Sequence, residues 1–202
     1  MFKKVYLINE QTNNFINEYN NSKKGAYCSK CYQPLHDTSV AACNKEMEQL
    51  RNTLSDLQSS IPIVSSHSPR DWDYSSIGIA TGQSVTGTGI FTELSAAITD
   101  FMGTQSSAMS AKIRIGEKSC FQQLRRHTLT MGGNAILALD IDYSEVGNGK
   151  GMIMVCMTGT VVNLKNDDKF DKVPELTERL KYINELAQKS DQYISNQIVA
   201  ES

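Results

Sequence analysis

Two cysteines separated by two residues carry the strongest chemical signal in the chain. Cys28 and Cys31 have the spacing that lets two thiolates bind one metal ion from a single turn. Zinc prefers four such ligands in a tetrahedron, so the pair needs two further residues. The candidate metal ligands are Cys28, Cys31, His36 and Cys43. The sequence therefore predicts a small N-terminal zinc module, in which the metal supplies folding free energy to a segment with little core of its own.

The cysteine pair leaves other arrangements open. Two subunits, each contributing one Cys-x-x-Cys, would also complete a tetrahedral site. A degenerate knuckle that no longer binds metal has the same spacing. A redox motif of the thioredoxin kind would open a helix after a strand in a βαβ unit, and the sequence around residues 27–36 does not predict such a unit. Zinc binding, within one chain or shared by two, is preferred to a degenerate knuckle and to a redox motif.

Two carboxylates form a second candidate pair. Asp140 and Asp142 lie two positions apart on a predicted strand, so their side chains share one face, about 7 Å apart. This spacing suits a metal ion or an acid/base pair. No positioned nucleophile or base accompanies them, so we expect this face to be solvated or to lie at an oligomer interface.

The remaining reactive residues have plainer interpretations. Cys120 and His127 lie seven positions apart on a predicted helix, about 10 Å, too far for a hydrogen bond. The glycine-rich segment 82–89 lacks the Lys-Ser/Thr of a phosphate-binding loop. Arg125 and Arg126 are expected to be solvated or salt-bridged. The sequence therefore predicts no catalytic and no cofactor-binding residues, and the chain is not expected to be an enzyme.

Composition narrows the class of protein. The chain has 202 residues, a hydrophobic fraction of 40% and a formal charge of −2, which predicts one core diluted by polar flanks. A nearly neutral charge gives no reason to expect nucleic acid or a membrane surface as a partner. No apolar run is long enough to cross a bilayer, and polar residues from Asn9 onward exclude a signal peptide. We expect a cytoplasmic protein, in which five cysteines form no disulfide framework.

Hydrophobic periodicity predicts the elements that must position these residues. The Asn-rich stretch 13–21 is expected to form little regular structure. The predicted strands are 77–81, 135–143 and 151–164, and the predicted helices are 41–57, 90–102, 107–131 and 174–197. The strand at 135–143 should place Leu137, Leu139, Ile141 and Tyr143 on one face, and the strand at 151–164 should be covered on both faces.

Composition also predicts boundaries between regions. Serine and proline concentrate between residues 59 and 71, as expected of a linker. The predicted regions are an N-terminal region with the cysteine knuckle and an amphipathic helix (1–58), the linker (59–71), a main domain (72–165) and a helical tail (166–202). The apolar stripes of the two flanking helices need a partner, either in the same chain or in another.

A set of short motifs within the main domain occurs in a fixed order. These are Ala80-Thr81-Gly82-Gln83, Gly87-Thr88-Gly89-Ile90-Phe91, the run from Ala135 to Tyr143, Glu145-Val146-Gly147, Met152-Ile153-Met154-Val155 and Thr158-Gly159-Thr160-Val161. Together, over about residues 77–164, they resemble the YbjQ-like family, which carries a description as a heavy-metal-binding domain. The cysteine knuckle and the flanking helices are not part of the core family pattern.

The resemblance implies an α+β fold. It implies a small antiparallel sheet with packed helices in a dodecin-like β-α-β-β arrangement, assembled as a homo-oligomeric ring of five subunits. The resulting hypothesis is a non-enzymatic oligomeric binding or scaffold protein with a zinc-binding N-terminal module. One alternative is a heavy-metal sensor or storage protein. Another is an adaptor that recruits a protein partner through its terminal helices.

Overall fold

The computed structural model describes residues 7–86, 104–147, 152–165 and 167–200, with side chains omitted at 104–108 and 191–200. In chain order the elements are α1 (Glu10–Tyr19), α2 (Gln33–Ser59), β1 (Tyr74–Thr86), α3 (Thr104–Thr130), β2 (Ala135–Val146), β3 (Met152–Leu164), a 3-10 turn (Asp168–Phe170) and α4 (Val173–Ala200). Within these ranges, none of the helices combines the length and the apolar character needed to cross a bilayer.

The chain divides into two compact units. Unit 1 contains residues 1–56 and 171–202, and unit 2 contains Leu57–Phe170. The predicted N-terminal region and the predicted tail thus share one unit, because α1 packs against α4. Hydrophobic periodicity identified the apolar stripes of the flanking helices, but it did not show which helix packs against them.

Unit 2 has the predicted α+β class. Its described strands form a three-stranded antiparallel sheet in the order β1-β3-β2, and α3 lies between β1 and β2 in the chain, which is the β-α-β-β arrangement. On α3, Cys120 and Leu124 are fully buried against Val155 and Met157 of β3. A Cβ atom at Gly82 would lie 2.7 Å from the backbone oxygen of Cys120, so glycine permits this close approach of β1 and α3.

A bulge in β2 changes which side chains face α3. The register with β3 shifts between Leu137 and Asp140, and Ala138 has a φ of 51°. Leu137 therefore lies in a different cluster from Leu139 and Ile141. The predicted alternation through Leu137 was wrong, because a bulge inserts one residue and reverses the facing of the later residues in the strand.

The sheet face opposite α3 is covered at one end. There Leu137 and Val162 pack with Val64 and Trp72. Ile79 in the middle of β1 is 72% exposed, and Val85 near the other end of the strand is 51% exposed. The predicted coverage of both faces is therefore observed over part of β3 within the described chain.

The segment predicted as a linker forms an additional edge of the sheet. Ile63 forms a parallel bridge with Ile136, and the Ile136 amide donates to the Pro62 oxygen at 3.0 Å. The Leu139 amide donates to the Val64 oxygen at 3.0 Å. Backbone groups along the edge of β2 need partners, and buried Ile61 anchors the segment that supplies them.

Unit 1 begins with a helix where the sequence predicted little regular structure. The Asn9 side chain caps α1 by accepting from the Thr12 amide at 2.8 Å. Phe15 and Ile16 are fully buried, and the Phe15 ring contacts the Tyr19 ring with centroids 5.4 Å apart. The cap and the buried aromatic residues outweigh the low helix propensity of asparagine, so this expectation was wrong.

The other helices follow the predictions more closely. α2 begins eight residues earlier than predicted, at Gln33 instead of 41, and so includes His36. Pro174 lies in the first turn of α4, where a proline costs no hydrogen bond. The predicted helix at 90–102 and residues 148–151, which include an Asn-Gly pair typical of a hairpin turn, lie outside the described residues.

Candidate metal centre

The cysteine turn is held in place by a short backbone bridge. Leu7 and Cys28 form an isolated antiparallel bridge, and the Ile8 amide donates to the Tyr27 oxygen at 3.1 Å. The Tyr27 hydroxyl donates to the side-chain oxygen of Asn17 on α1 at 3.0 Å. These contacts fix the residue just before the first thiol against the rest of unit 1.

The two cysteines share one turn that leads into α2. The Cys31 amide lies 3.0 Å from both the carbonyl oxygen and the Sγ of Cys28 and donates to them. The Tyr32 amide also donates to the Cys28 oxygen, and the His36 amide donates to the Tyr32 oxygen at 2.8 Å. A turn of this kind directs backbone amides toward the first sulfur, at the positive end of a long helix.

The local contacts make the two thiols unequal. The Cys31 thiol donates to the Cys28 sulfur and lowers the pKa of Cys28, and backbone amides of the turn add to this effect. The same contact raises the pKa of Cys31. Cys31 is exposed and Cys28 is half-buried. The pair therefore presents two neighbouring thiols at the surface, a chemistry suited to soft metal ions.

His36 lies in the interior of unit 1. Its side chain is 6% exposed, and its Nε2 is 3.1 Å from the Ser190 hydroxyl of α4. The ring packs against Phe15 and Tyr32, with centroids 5.5 and 6.1 Å away. The hydrogen bond and these ring contacts give His36 a structural role between α1, α2 and α4.

Cys43 is also buried and lies about two helical turns after His36 on α2. It is 1% exposed. Its thiol lies close to the Tyr19 hydroxyl, and burial together with Cys43 and Glu46 raises the pKa of Tyr19 far above its usual range. This places Cys43 in the packing between α1 and α2.

The structure brings together two of the four predicted ligands. Among the described residues, which include all four, no group of three or more histidine, cysteine, aspartate or glutamate side chains is arranged to hold a metal ion. The Cys28 and Cys31 thiols alone fit half of a tetrahedral site. The full ligand set with His36 and Cys43 stays a prediction. The sequence pattern could not show that both of these side chains are buried in unit 1.

The two carboxylates lie where the sequence placed them, on the sheet face opposite α3. Both are exposed. Cross-strand pairing places Asp140 beside Thr158 and Asp142 beside Cys156 of β3. The sequence does not indicate that Cys156 is a neighbour of Asp142, because strand register is not visible in the sequence of a single strand.

The other reactive residues have structural roles. The Cys120 thiol donates to the Val155 oxygen at 3.3 Å, and burial raises its pKa. Arg125 donates to the Ile61 oxygen at 3.4 Å and lies over the Phe121 ring. Residues 82–86 of the predicted glycine loop belong to β1, and 87–89 lie outside the described residues. These residues support the fold of unit 2.

Comparisons with known proteins locate the similarity in unit 2. Residues 66–165 match the YbjQ family model, whose description reads "Putative heavy-metal-binding". The chain is also similar to a crystal structure from Pediococcus pentosaceus ATCC 25745, a protein of unknown function described as belonging to the DUF74 family. That similarity has 13% identity and a TM-score of 0.35, and covers 52% of this chain and 98% of the other. The match to the family model confirms the resemblance inferred from the sequence.

Proposed function

From the premise that residues 66–165 belong to the YbjQ-like family, we propose that this protein is a non-enzymatic, homo-oligomeric metal-binding scaffold. In this proposal the YbjQ-like domain builds the oligomer and the cysteine turn of unit 1 binds zinc. The family is described by metal binding and not by a reaction. The turn lies outside the matched region, so its metal would be additional to any metal bound by the family domain.

One observation carries the zinc proposal. Cys28 and Cys31 present two thiols from one surface turn, and contacts within the turn lower the pKa of Cys28. Metal binding requires deprotonated thiols, so a lowered thiol pKa favours the bound form at neutral pH. His36 has a hydrogen-bond partner in the interior of unit 1, and Cys43 is buried there. We propose that the tetrahedron is completed by the same turn of a second chain.

If two chains share each zinc ion, the ratio of zinc ions to chains is fixed. Each zinc ion would take two thiolates from each of two chains, which gives one metal ion per two chains. If the ring contains five subunits, as the family resemblance implies, one turn in each ring is left over. Complete pairing then requires two rings joined through their cysteine turns. Metal content and subunit number are therefore linked quantities.

Native mass spectrometry of the full chain measures the zinc content and the number of subunits together. The reduced protein with added zinc should show an oligomer with one zinc ion per two chains. The variant Cys28→Ser/Cys31→Ser should keep the oligomer of the family domain and lose the zinc. Cys43→Ser is the matched control and should keep both. A zinc ion bound to an isolated chain would contradict sharing, and a zinc-free monomer would contradict the whole proposal.

A second candidate function, heavy-metal binding by the family domain itself, is favoured by the Asp142–Cys156 neighbourhood. A carboxylate and a thiol on adjacent strands combine a hard and a soft ligand on an exposed face. In the Cys28→Ser/Cys31→Ser background, cadmium bound to the protein would be expected to fall with Cys156→Ser and with Asp142→Asn. Asp140→Asn would serve as control. Absence of cadmium in the double variant would exclude this site.

A further inference from the structure

Unit 2 separates its charges between the helix and one strand of the sheet. The positive side chains of α3 are Lys112, Arg114, Lys118, Arg125 and Arg126, against a single acidic residue, Glu117. The charged side chains of β2 are all acidic: Asp140, Asp142 and Glu145. Both signs usually alternate on a solvated surface, and the whole chain is nearly neutral. Two elements of opposite single sign therefore indicate surfaces that face an oppositely charged partner.

The positive charge lies on the outer face of α3. Every fourth residue from Gly116 to Thr128 is buried, and this stripe faces the sheet. The opposite stripe is exposed and contains Arg114, Lys118 and Arg126. Arg114 and Lys118 are about one turn apart, about 6 Å along the helix axis, and like charges at this spacing repel each other. An acidic surface placed against this stripe would relieve the repulsion.

The negative charge lies on the opposite side of unit 2. Asp140 and Asp142 are exposed on the sheet face away from α3, about 7 Å apart along β2. Thr158 of β3 and Thr81 of β1 continue this face from Asp140 across the sheet, and both are exposed. Ile79 of β1, 72% exposed, adds apolar area to the same face. The face thus offers two carboxylates beside a flat, accessible surface.

The two charged surfaces cannot meet within one chain, because the sheet lies between them. The ion pairs observed in the described part of the chain join other elements and leave Arg114, Lys118 and both carboxylates unneutralised. Two copies of the chain can bring the surfaces together. The spacings of about 6 Å on the helix and about 7 Å on the strand are similar enough for each cation to face one carboxylate.

We propose that the outer face of α3 in one copy of this chain docks on the Asp140–Asp142 sheet face of the next copy. The inference rests on the proposed homo-oligomer and names the interface that builds it. Arg114 and Lys118 of one copy pair with Asp140 and Asp142 of the other. The aliphatic stems of the two cations cover the exposed apolar surface of Ile79.

The position of the two surfaces determines the kind of assembly. They are different surfaces on opposite sides of unit 2, so the contact is heterologous and each copy uses one surface toward each neighbour. An open row of copies leaves one surface unpaired at each end, and closing the row into a ring pairs every surface. The interface therefore builds rings, in agreement with the proposed oligomer, and does not build a two-fold dimer.

Charge reversal tests the interface in the full, reduced chain, with a chelator present so that zinc does not contribute to the subunit number measured by native mass spectrometry. Arg114→Glu/Lys118→Glu and Asp140→Lys/Asp142→Lys each place like charges across the contact. Each double variant should dissociate at a concentration at least about tenfold higher than wild type. The variant with all four substitutions should assemble like wild type, because each pair is restored with its signs exchanged.

Mixing the two double variants gives a second readout that does not depend on the fourfold variant folding. Each double variant carries two surfaces of the same sign, so the two should combine only with each other, in alternation, and form rings of even subunit number. Lys181→Glu/Glu185→Lys, at exposed positions of unit 1, is the matched control and should assemble like wild type.

The outcomes separate this interface from the proposed homo-oligomer. If wild type is oligomeric and either double variant assembles equally well alone, or if the mixture does not assemble, the interface is wrong and the homo-oligomer stands. If wild type is a monomer under the same conditions, the homo-oligomer of the proposed function is wrong as well. Recovery in the mixture and in the fourfold variant supports the interface.

Discussion

Unit 2 and unit 1 are stabilised in different ways. Unit 2 closes a continuous apolar core between a sheet and a helix, with Leu124, Val155 and Val161 fully buried. Unit 1 combines a smaller set of buried apolar side chains with polar contacts between helices. The Arg179 guanidinium of α4 donates to Glu18 at 2.7 Å and to Glu46 at 2.8 Å.

Unit 1 also buries polar groups at some cost. Asn20 donates to Ser39 at 2.8 Å, and His36 lies beside Ser190. Among the described residues, the buried Thr12 Oγ1 and Asn13 Oδ1 have no hydrogen-bond partner. Unsatisfied buried polar atoms reduce stability. Among the described residues, the cysteine turn belongs to the unit with fewer buried apolar side chains, where a metal ion would have the larger effect on folding.

The largest expected effect tests the apolar core of unit 2. Leu124→Ala should lower the free energy of unfolding by about 2–5 kcal/mol, because it removes a fully buried side chain and leaves a cavity. Trp72, the sole tryptophan, lies in unit 2 and reports its unfolding in urea by fluorescence. Arg126→Ala, on the exposed side of α3, is the control. A loss below about 1 kcal/mol would contradict the assignment of Leu124 to the core.

A smaller effect on stability is expected from substitutions of Ala138, at the bulge in β2. Ala138→Val should cost about 1–3 kcal/mol, because a β-branched side chain is strained at a φ of 51°. Ala138→Gly should be close to neutral, since glycine relieves this strain but adds freedom to the unfolded chain. The same Trp72 fluorescence measurement compares the two variants. Equal destabilisation by valine and glycine would argue against the positive φ.

Protonation of Glu46 at acid pH should lower the folding stability of unit 1. The hydrogen bond from Arg179 is the main cause that lowers the pKa of Glu46 below its ordinary 4.5. A lowered carboxyl pKa stabilises the folded state above pH 4.5, and this contribution disappears as the pH falls through the folded-state pKa. The Glu46–Arg179 pair lies near the surface, so we expect it to contribute about 1 kcal/mol or less to the free energy of unfolding.

Hydrogen exchange of α2 and α4 measures this acid effect, because Glu46 lies on α2 and Arg179 on α4. Glu46→Gln should raise exchange at pH 7 and reduce the difference between pH 7 and acid. Glu48→Gln, exposed on the same helix, is the control. If Glu46→Gln leaves the acid dependence of exchange unchanged, the ion pair does not contribute to unit 1.

The smallest expected effect is at alkaline pH in unit 2. The Tyr143 hydroxyl donates to Glu117 Oε1 at 2.6 Å, and this bond raises the pKa of Tyr143 above its ordinary 10.0. A raised tyrosine pKa stabilises the folded state below pH 10.0, and the contribution is lost as the pH rises through the folded-state pKa. Tyr143→Phe should therefore reduce the alkaline loss of stability seen by Trp72 fluorescence, whereas Tyr182→Phe in unit 1 should not.

The sequence by itself determined the parts of this protein that depend on local pattern. Period-two and period-3.6 hydrophobicity located β2, β3, α3 and α4 to within a few residues, and ordered motifs identified the family domain. The Cys28–Cys31 spacing predicted two thiols on one turn. These properties are set by residues a few positions apart, so they can be read from the chain alone.

Tertiary structure alone decided the properties that depend on distant neighbours. Packing against Phe15 and Ser190 gave His36 an interior role, and strand register placed Cys156 beside Asp142. Burial and a side-chain cap made α1 helical despite its asparagines. For His36 and Cys156 the deciding contacts join residues far apart in the chain. For α1 a local cap acts together with burial, and their combined free energy exceeds the weak helix preference that the sequence pattern reports.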